Sequence, residues 1–313
     1  MKKVGIIGGA GFIGSYVTKI FLDNGFRVRV SATDPSRIDK YQHLTGFHNA
    51  ENVEIVELNV ENKEALQNFV KGCEIIVHGG TPFVLDVQDP QKQLFDPTVK
   101  GTENFLEVVK NTAGIEKVVF IASVAAYNTN FPMPPNGKTP ADSFSEEDVK
   151  FTSVESHPYG QAKFMANQAV EKFILENGDL TFEISSVSPV LVMGKQLSAR
   201  EDSTSVGFQY LFKNKLAPDP FAQMLYDTDM PFAMVDVADV ANAVYKSATV
   251  SGIHGKNYLL SSETYGVSDI VLMLNGQAPM QQPTLVYKND LATKDLDIQF
   301  RSVNETLNNY AEG

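Results

Sequence analysis

Short apolar runs recur along the first two thirds of the chain, each followed by a polar turn and then a stretch with helical spacing. Val4, Ile6 and Ile7 make the first run, and Ser15 to Asn24 continues as a helical pattern closed by Gly25. Further strands are predicted over Phe26 to Ala32 (FRVRVSA), Asn52 to Leu58 (NVEIVEL), Glu74 to Val77 (EIIV), Lys117 to Ala122 (KVVFIA) and Thr181 to Val187 (TFEISSV). Helical patterns fall between them at Asn62 to Val70, Pro97 to Lys110 and Tyr159 to Asn177. Strands alternating with helices at this rhythm require right-handed crossovers, so the pattern predicts an α/β protein with a doubly wound parallel sheet.

The rhythm breaks over residues 128–157, where Pro132, Pro134, Pro135, Gly137 and Pro140 precede the acidic stretch Ser145 to Asp148. A loop that long in a compact domain tends to carry function, although its acids read as solvated helix-start charges. From Gly194 onwards β-branched runs give way to Phe, Tyr, Met and Pro. The expected division is therefore a sheet domain over 1–193, which also receives about 232–262, and a smaller C-terminal substrate lobe built mainly from 194–313.

Composition removes several classes of function. The net charge is −12 over 313 residues with no long basic run, which argues against nucleic acid and anionic membrane as partners. No apolar run approaches the roughly 18 residues of a spanning helix, and only Met1, Lys2 and Lys3 precede the first strand. A cytoplasmic protein is expected. The one cysteine, Cys73, has no internal disulfide partner and reads as a small core residue. The histidines at 43, 48, 78, 157 and 254 have neither helical i, i+4 pairing nor a cysteine cluster, so no metal is expected. His78, at a strand end, reads as a core histidine.

Chemistry gathers first in KKVGIIGGAGFIG, residues 2–14. Gly8, Gly11 and Gly14 stand at three-residue spacing between a strand and a helix. One glycine permits the tight turn, one lets backbone approach phosphate, and one lets helix pack on strand. The helix start then offers free N–H groups and a positive dipole end to a pyrophosphate. Ser123 stands just past the fifth predicted strand, where open α/β sheets bind ligands. Tyr159 and Lys163, in YGQAK, share one helix face at i and i+4. An ammonium one turn away favours phenolate, which would draw the tyrosine pKa down from near 10 towards neutrality. Such a tyrosine can pass a proton to or from a substrate oxygen that a serine hydroxyl holds.

GGAGFIG at 8–14, Ser123 and YGQAK at 159–163 together resemble the extended short-chain dehydrogenase/reductase superfamily. GCEIIVHGGTPF (72–83), DPTVKGTENFLE (96–107), KVVFIASVAAY (117–127), SPVLVMG (188–194), FAMVDVADVANA (232–243) and NYLLSSE (257–263) are similar to its dihydroflavonol reductase-like ketone and aldehyde reductases. The resemblance implies a Rossmann sheet and hydride transfer involving a nicotinamide. It implies Tyr159 as general acid/base, Ser123 as hydrogen-bond partner of the reacting carbonyl, and Lys163 on the nicotinamide ribose. It also implies Gly8, Gly11, Phe12, Ile13 and Gly14 along the pyrophosphate, Asn59 at the adenine, Gly80 and Thr81 by the cofactor, and Pro189 near the nicotinamide amide. Asn104 matches a frequent family asparagine, for which tying a helix to a strand is the simplest role.

Two positions depart from the family pattern. Ala32 stands where NAD-using relatives carry an acid, and Thr33 where many NADPH-using reductases carry arginine. Arg37 and Lys40 lie close by as partners for a 2′-phosphate. NADP(H) is therefore the favoured cofactor, with NAD(H) possible. The expected partner is a small-molecule carbonyl substrate, met by a monomer or homodimer, with Phe83, Tyr127, Phe208, Phe221 and Tyr226 as candidate pocket walls. An NAD-dependent nucleotide-sugar epimerase or dehydratase shares Ser, Tyr and Lys and is the alternative enzyme. A non-catalytic nucleotide-sensing protein on the same fold is the alternative outside enzymes.

Overall fold

A computed structural model describes residues 1–79, 88–135, 138–139, 141–200 and 203–311. Its strands are β1 (Lys3–Ile7), β2 (Arg27–Ala32), β3 (Val53–Glu57), β4 (Ile75–His78), β5 (Lys117–Ile121), β6 (Glu183–Pro189), β7 (Leu191–Met193), β8 (Pro231–Asp236), β9 (Asn257–Leu260) and β10 (Glu263–Gly266). Seven of them form one sheet in the order β3-β2-β1-β4-β5-β6-β9, with every neighbouring pair parallel. The order reverses between β1 and β4, which opens a crevice at the carboxyl edge beside β1. The doubly wound α/β class expected from the alternating pattern is the fold observed.

Coverage on both faces explains why the central strands read as unbroken apolar runs. Between and beyond the strands run α1 (Phe12–Asp23), α2 (Ile38–Tyr41), α3 (Lys63–Val70), α4 (Asp96–Lys110), α5 (Pro158–Glu176), α6 (Thr204–Lys213), α7 (Pro220–Asp227), α8 (Val237–Thr249), α9 (Val267–Leu274), α10 (Asp290–Leu296) and α11 (Val303–Ala311). On one face Val17 and Phe21 of α1, Val240 and Val244 of α8 and Leu296 of α10 pack with Val4, Ile6, Val28 and Val30. On the other, Phe69 of α3, Phe105 and Leu106 of α4 and Val170 of α5 pack with Ile7, Ile76, Val118 and Ile184. At the sheet edge, β3 leaves Glu54 and Glu57 exposed and its apolar residues only partly buried.

The later chain divides its elements between two places. A smaller sheet pairs β8 parallel to β7 and antiparallel to β10. Its own core holds Met193, Phe212, Leu225, Phe232, Met234 and Ile270. Meanwhile β9 returns to the large sheet, with Val187 paired to Tyr258. Arg301 ties the C-terminal segment back to α8: its guanidinium pairs with Asp239, and its N–H donates to the same carboxylate at 2.7 Å.

Two boundaries differ from the sequence expectation. α1 starts at Phe12 rather than Ser15, because Gly11 already serves as its cap while glycines add nothing to an apolar pattern. β6 runs on through Ser188 to Pro189, beyond the apolar stretch that signalled it.

Candidate active site

The glycine turn separates into three physical roles. Gly8 has φ 83°, a left-handed conformation that suits glycine, and its N–H donates to Ser31 Oγ at 2.9 Å. A Cβ on Gly14 would lie 2.0 Å from the Gly8 carbonyl oxygen, so only glycine lets α1 sit this close to β1. A Cβ on Gly11 would meet that same oxygen at 3.4 Å and otherwise point into open space. Gly11 caps α1 without a side-chain hydrogen bond, and the first turn carries no acid. The N–H groups of Phe12, Ile13 and Gly14 are thus unclaimed by the helix and aim past a bare backbone. That cradle fits a pyrophosphate.

Around it, other expected cofactor residues stand at the carboxyl ends of the strands. Thr33 follows β2 and is exposed. Arg37 is exposed and engages Asp39 twice, Nη2 to Oδ2 at 3.0 Å and Nε to Oδ1 at 3.2 Å. Lys40 is half-buried on α2, and Asn59 is exposed just past β3, its Oδ1 accepting the Glu61 N–H at 3.0 Å. Pro189 ends β6 and is buried. Gly79 leaves β4 against β1, its N–H donating to the Ile7 carbonyl at 3.0 Å. Gly80, Thr81 and Phe83 lie outside the described residues.

Ser123 follows β5 and caps the single turn Val124–Ala126, its Oγ accepting the Ala125 N–H at 3.2 Å. That bond uses a lone pair and leaves the hydroxyl proton available for another acceptor. Tyr159 and Lys163 occupy the start of α5, which Pro158 opens and His157 caps by accepting the Tyr159 N–H at Nδ1, 3.2 Å. Gly160 brings this turn against the preceding loop, since a Cβ there would lie 3.1 Å from the Thr129 carbonyl oxygen. Lys163 is buried, with its Nζ 5.8 Å from the centre of the Tyr159 ring.

Burial governs the ionisation of this pair. It pushes the Tyr159 phenol up to about 12 and the Lys163 ammonium down to about 8. The expected drift of Tyr159 towards neutrality is therefore not found: desolvation disfavours the phenolate. Behind Lys163 a cavity of about 30 Å³ is lined by His78, Thr102, Asn167 and Ser186, among others. His78 lies in the core between Phe105 and Phe120, at ring distances of 4.6 and 5.3 Å. Burial, helped by the Lys163 charge, pushes His78 down to about 4.

Several candidate pocket walls turn out to have packing partners. Tyr127 is buried and its Oη donates to the Asn257 carbonyl at 2.7 Å. Phe208 stacks beside Phe212 and Phe232, and Tyr226 Oη donates to the Leu211 carbonyl at 3.0 Å. Phe221 remains 44 % exposed. Spacing rules missed His43, whose Nε2 lies 2.8 Å from Ser15 Oγ on α1. These residues are 28 apart, beyond any local pattern.

Comparison with known proteins bears on the family and the fold. The model of the NAD dependent epimerase/dehydratase family matches residues 4–261. Cinnamoyl-CoA reductase CAD2 of Medicago truncatula is 30% identical over 80% of this chain and 74% of its own length. Dihydroflavonol 4-reductase of Hordeum vulgare is 28% identical over 62% of this chain and 54% of its own, so the match spans just over half of that relative. Among solved structures, yeast methylglyoxal/isovaleraldehyde reductase Gre2 complexed with NADPH superposes with a TM-score of 0.80 at 24% identity, covering 99% of this chain and 97% of that one. At that identity the likeness carries the fold.

Proposed function

The chain belongs to the NAD dependent epimerase/dehydratase family, in the dihydroflavonol reductase-like branch of the extended short-chain dehydrogenases/reductases, and we propose that it reduces a ketone or aldehyde to an alcohol with NADPH. The observation that carries this reading is half-buried Tyr159 beside buried Lys163 on the first turns of α5, with Nζ 5.8 Å from the ring centre. A phenol held protonated is a proton donor at neutral pH. In reduction it is the donor that the carbonyl oxygen needs.

The nicotinamide, when bound, supplies the hydride. The chain's own residues do the rest. Tyr159 Oη donates its proton to the oxygen that becomes the alcohol. Ser123 directs its hydroxyl proton to the same oxygen, because its lone pair already takes the Ala125 N–H. Lys163 holds the nicotinamide ribose and offsets the phenolate left on Tyr159. Gly8, Gly11 and Gly14, with the N–H groups of Phe12 and Ile13, hold the pyrophosphate, and Asn59 meets the adenine. Thr33, Arg37 and Lys40 would meet the 2′-phosphate, and Pro189 the nicotinamide amide.

NADPH over NADH is supported by Ala32, which presents no acid to repel a 2′-phosphate, and by the NADPH bound to the yeast reductase of the same fold. A panel of ketones, aldehydes and nucleotide sugars, followed by NADPH absorbance, tests the reading. Carbonyl-dependent NADPH oxidation is expected. Turnover of nucleotide sugars with retained NAD, and of no simple carbonyl, would replace it with the epimerase reading.

A further inference from the structure

Tyr159, Lys163, Asn167 and Glu171 recur every fourth residue along α5, so a polar stripe runs down one face of the helix from the proposed acid. At its far end Glu171 pairs with Lys150, and Asn167 Nδ2 donates to Glu171 Oε1 at 2.8 Å. A carboxylate can only accept, so Glu171 fixes which way round the Asn167 amide lies. The Asn167 Oδ1 then faces Asn257 at the start of β9, whose Nδ2 donates to it at 2.9 Å. That leaves Asn257 Oδ1 to accept from Ser188 Oγ on β6 at 2.8 Å. A hydrogen-bond chain of fixed direction therefore ties α5 to β6 through the edge strand.

The two ends of this tie stand beside the groups proposed above for the nicotinamide half of the cofactor. Lys163 lies one turn before Asn167, and the two line one cavity with Ser186 of β6. Pro189 follows Ser188 directly. Asn167 and Ser188 are 5 and 0 % exposed, so a bond lost here leaves a buried polar group without its partner. Tyr127 Oη, donating to the Asn257 carbonyl at 2.7 Å, holds that residue's backbone as well. Resting on the cofactor reading above, we propose that Asn257 is a positioning residue for hydride transfer: its amide, oriented from Glu171, keeps Lys163 on α5 and the Pro189 end of β6 at the spacing that the nicotinamide riboside requires. Asparagine suits this place because it donates on one side and accepts on the other, which neither a carboxylate nor an apolar side chain does.

Steady-state carbonyl reduction and ligand titration of the full chain test the assignment together. Asn257→Leu is expected to lower kcat by about tenfold to a hundredfold, the scale of a small misplacement of reacting groups. NADPH, read by fluorescence titration, should weaken by about threefold to tenfold, as for a lost hydrogen bond. Adenosine 2′,5′-bisphosphate, which lacks the nicotinamide riboside, should bind the variant as it binds the unaltered chain in calorimetry. Asn257→Asp keeps the shape and removes the donor, so it should lose kcat in the same way. Adding Glu171→Gln to it lets the Asn167 amide turn round, and most of the loss should be recovered. Thermal unfolding of each variant reports that it is folded, and Ser188→Ala, with the same split at smaller size, carries the test where Asn257→Leu melts early. Equal weakening of NADPH and the bisphosphate, an unchanged kcat, or no recovery in the double variant overturns the assignment while leaving the cofactor reading intact. An unaltered chain that binds no NADPH overturns both.

Discussion

Lys163 Nζ lies over the ring of Tyr159, 5.8 Å from its centre, one turn further along α5. The ammonium meets the ring's negative face, which helps hold a buried cation without ionising the phenol. Desolvation then sets both groups, keeping Tyr159 protonated and making Lys163 the easier of the two to deprotonate.

Removing only that proton donor gives the first prediction. Tyr159→Phe keeps the ring and its contact with Lys163, and turnover should fall by about two to four orders of magnitude. NADPH binding, measured by fluorescence titration, should change little. A Phe variant with near-normal turnover would remove Tyr159 from the role of acid.

A pH profile gives the second. Burial pushes Lys163 from 10.5 down to about 8, so its charge is present below that pH and lost above it. Carbonyl reduction should therefore hold through neutrality and decline as pH passes about 8, and Lys163→Arg should move the decline upward, because arginine keeps its charge. Stability runs the other way. Between about 8 and 10.5 the unfolded chain binds more protons at this lysine than the folded one, so its contribution to stability rises with pH. Activity falling while this term rises separates titration from unfolding, and a decline identical in both proteins would clear Lys163 of it.

Much of this site was legible in the sequence, because its residues sit at punctuation the chain cannot avoid. Gly14 shows why: no other residue fits 2.0 Å from the Gly8 oxygen, so the motif survives as spelling. The sheet was legible for a similar reason, since strands covered on both faces must be apolar throughout, as Ile75, Ile76 and Val77 are. What stayed hidden depends on distant partners. The strand Pro231–Asp236 pairs with Leu191–Met193 and Glu263–Gly266, and no local period announces that second sheet. Nor could helical spacing reveal the Ser15–His43 bond. The i, i+4 spacing of Tyr159 and Lys163 reports a neighbour's charge and says nothing of the desolvation that raises the phenol.

The glycines supply a third prediction, in which two similar substitutions should fail differently. Gly14→Ala forces a methyl into the Gly8 backbone, so soluble yield and melting temperature should drop sharply. Gly11→Ala meets one atom at 3.4 Å and should fold, melting close to the unaltered chain, yet bind NADPH far more weakly because the methyl occupies the cradle. Gly11→Ala binding NADPH normally would move the pyrophosphate away from this turn.

The fourth prediction concerns what is reduced, and it turns on how the second lobe uses its apolar residues. Leu197, Val206, Phe208, Tyr210, Leu211, Phe212, Leu216, Phe221, Met224, Leu225, Tyr226 and Phe232 give that lobe an apolar character. Phe212, Leu225 and Phe232 are 1, 1 and 2 % exposed and close the lobe's own core. Tyr210, Leu216 and Phe221 stay exposed, and Phe208 and Met224 are only partly covered. A nucleotide diphosphate would need several convergent cations there. Lys213 instead points over the Tyr310 ring at 5.1 Å, and Lys195 and Lys215 are exposed. Nearby acids are spent on structure: Asp219 caps α7 at the Ala222 N–H, 2.8 Å, and Asp229 accepts from the Ser268 N–H, 2.8 Å. Apolar walls also suit the chemistry, since excluding water strengthens the Ser123 and Tyr159 hydrogen bonds to a developing alkoxide. Alkyl and aryl ketones or aldehydes should therefore be reduced, with kcat/KM rising as apolar surface is added, and UDP- and GDP-sugars should be inert. Micromolar binding and turnover of a nucleotide sugar, with simple carbonyls untouched, would mean that this lobe serves a diphosphate after all.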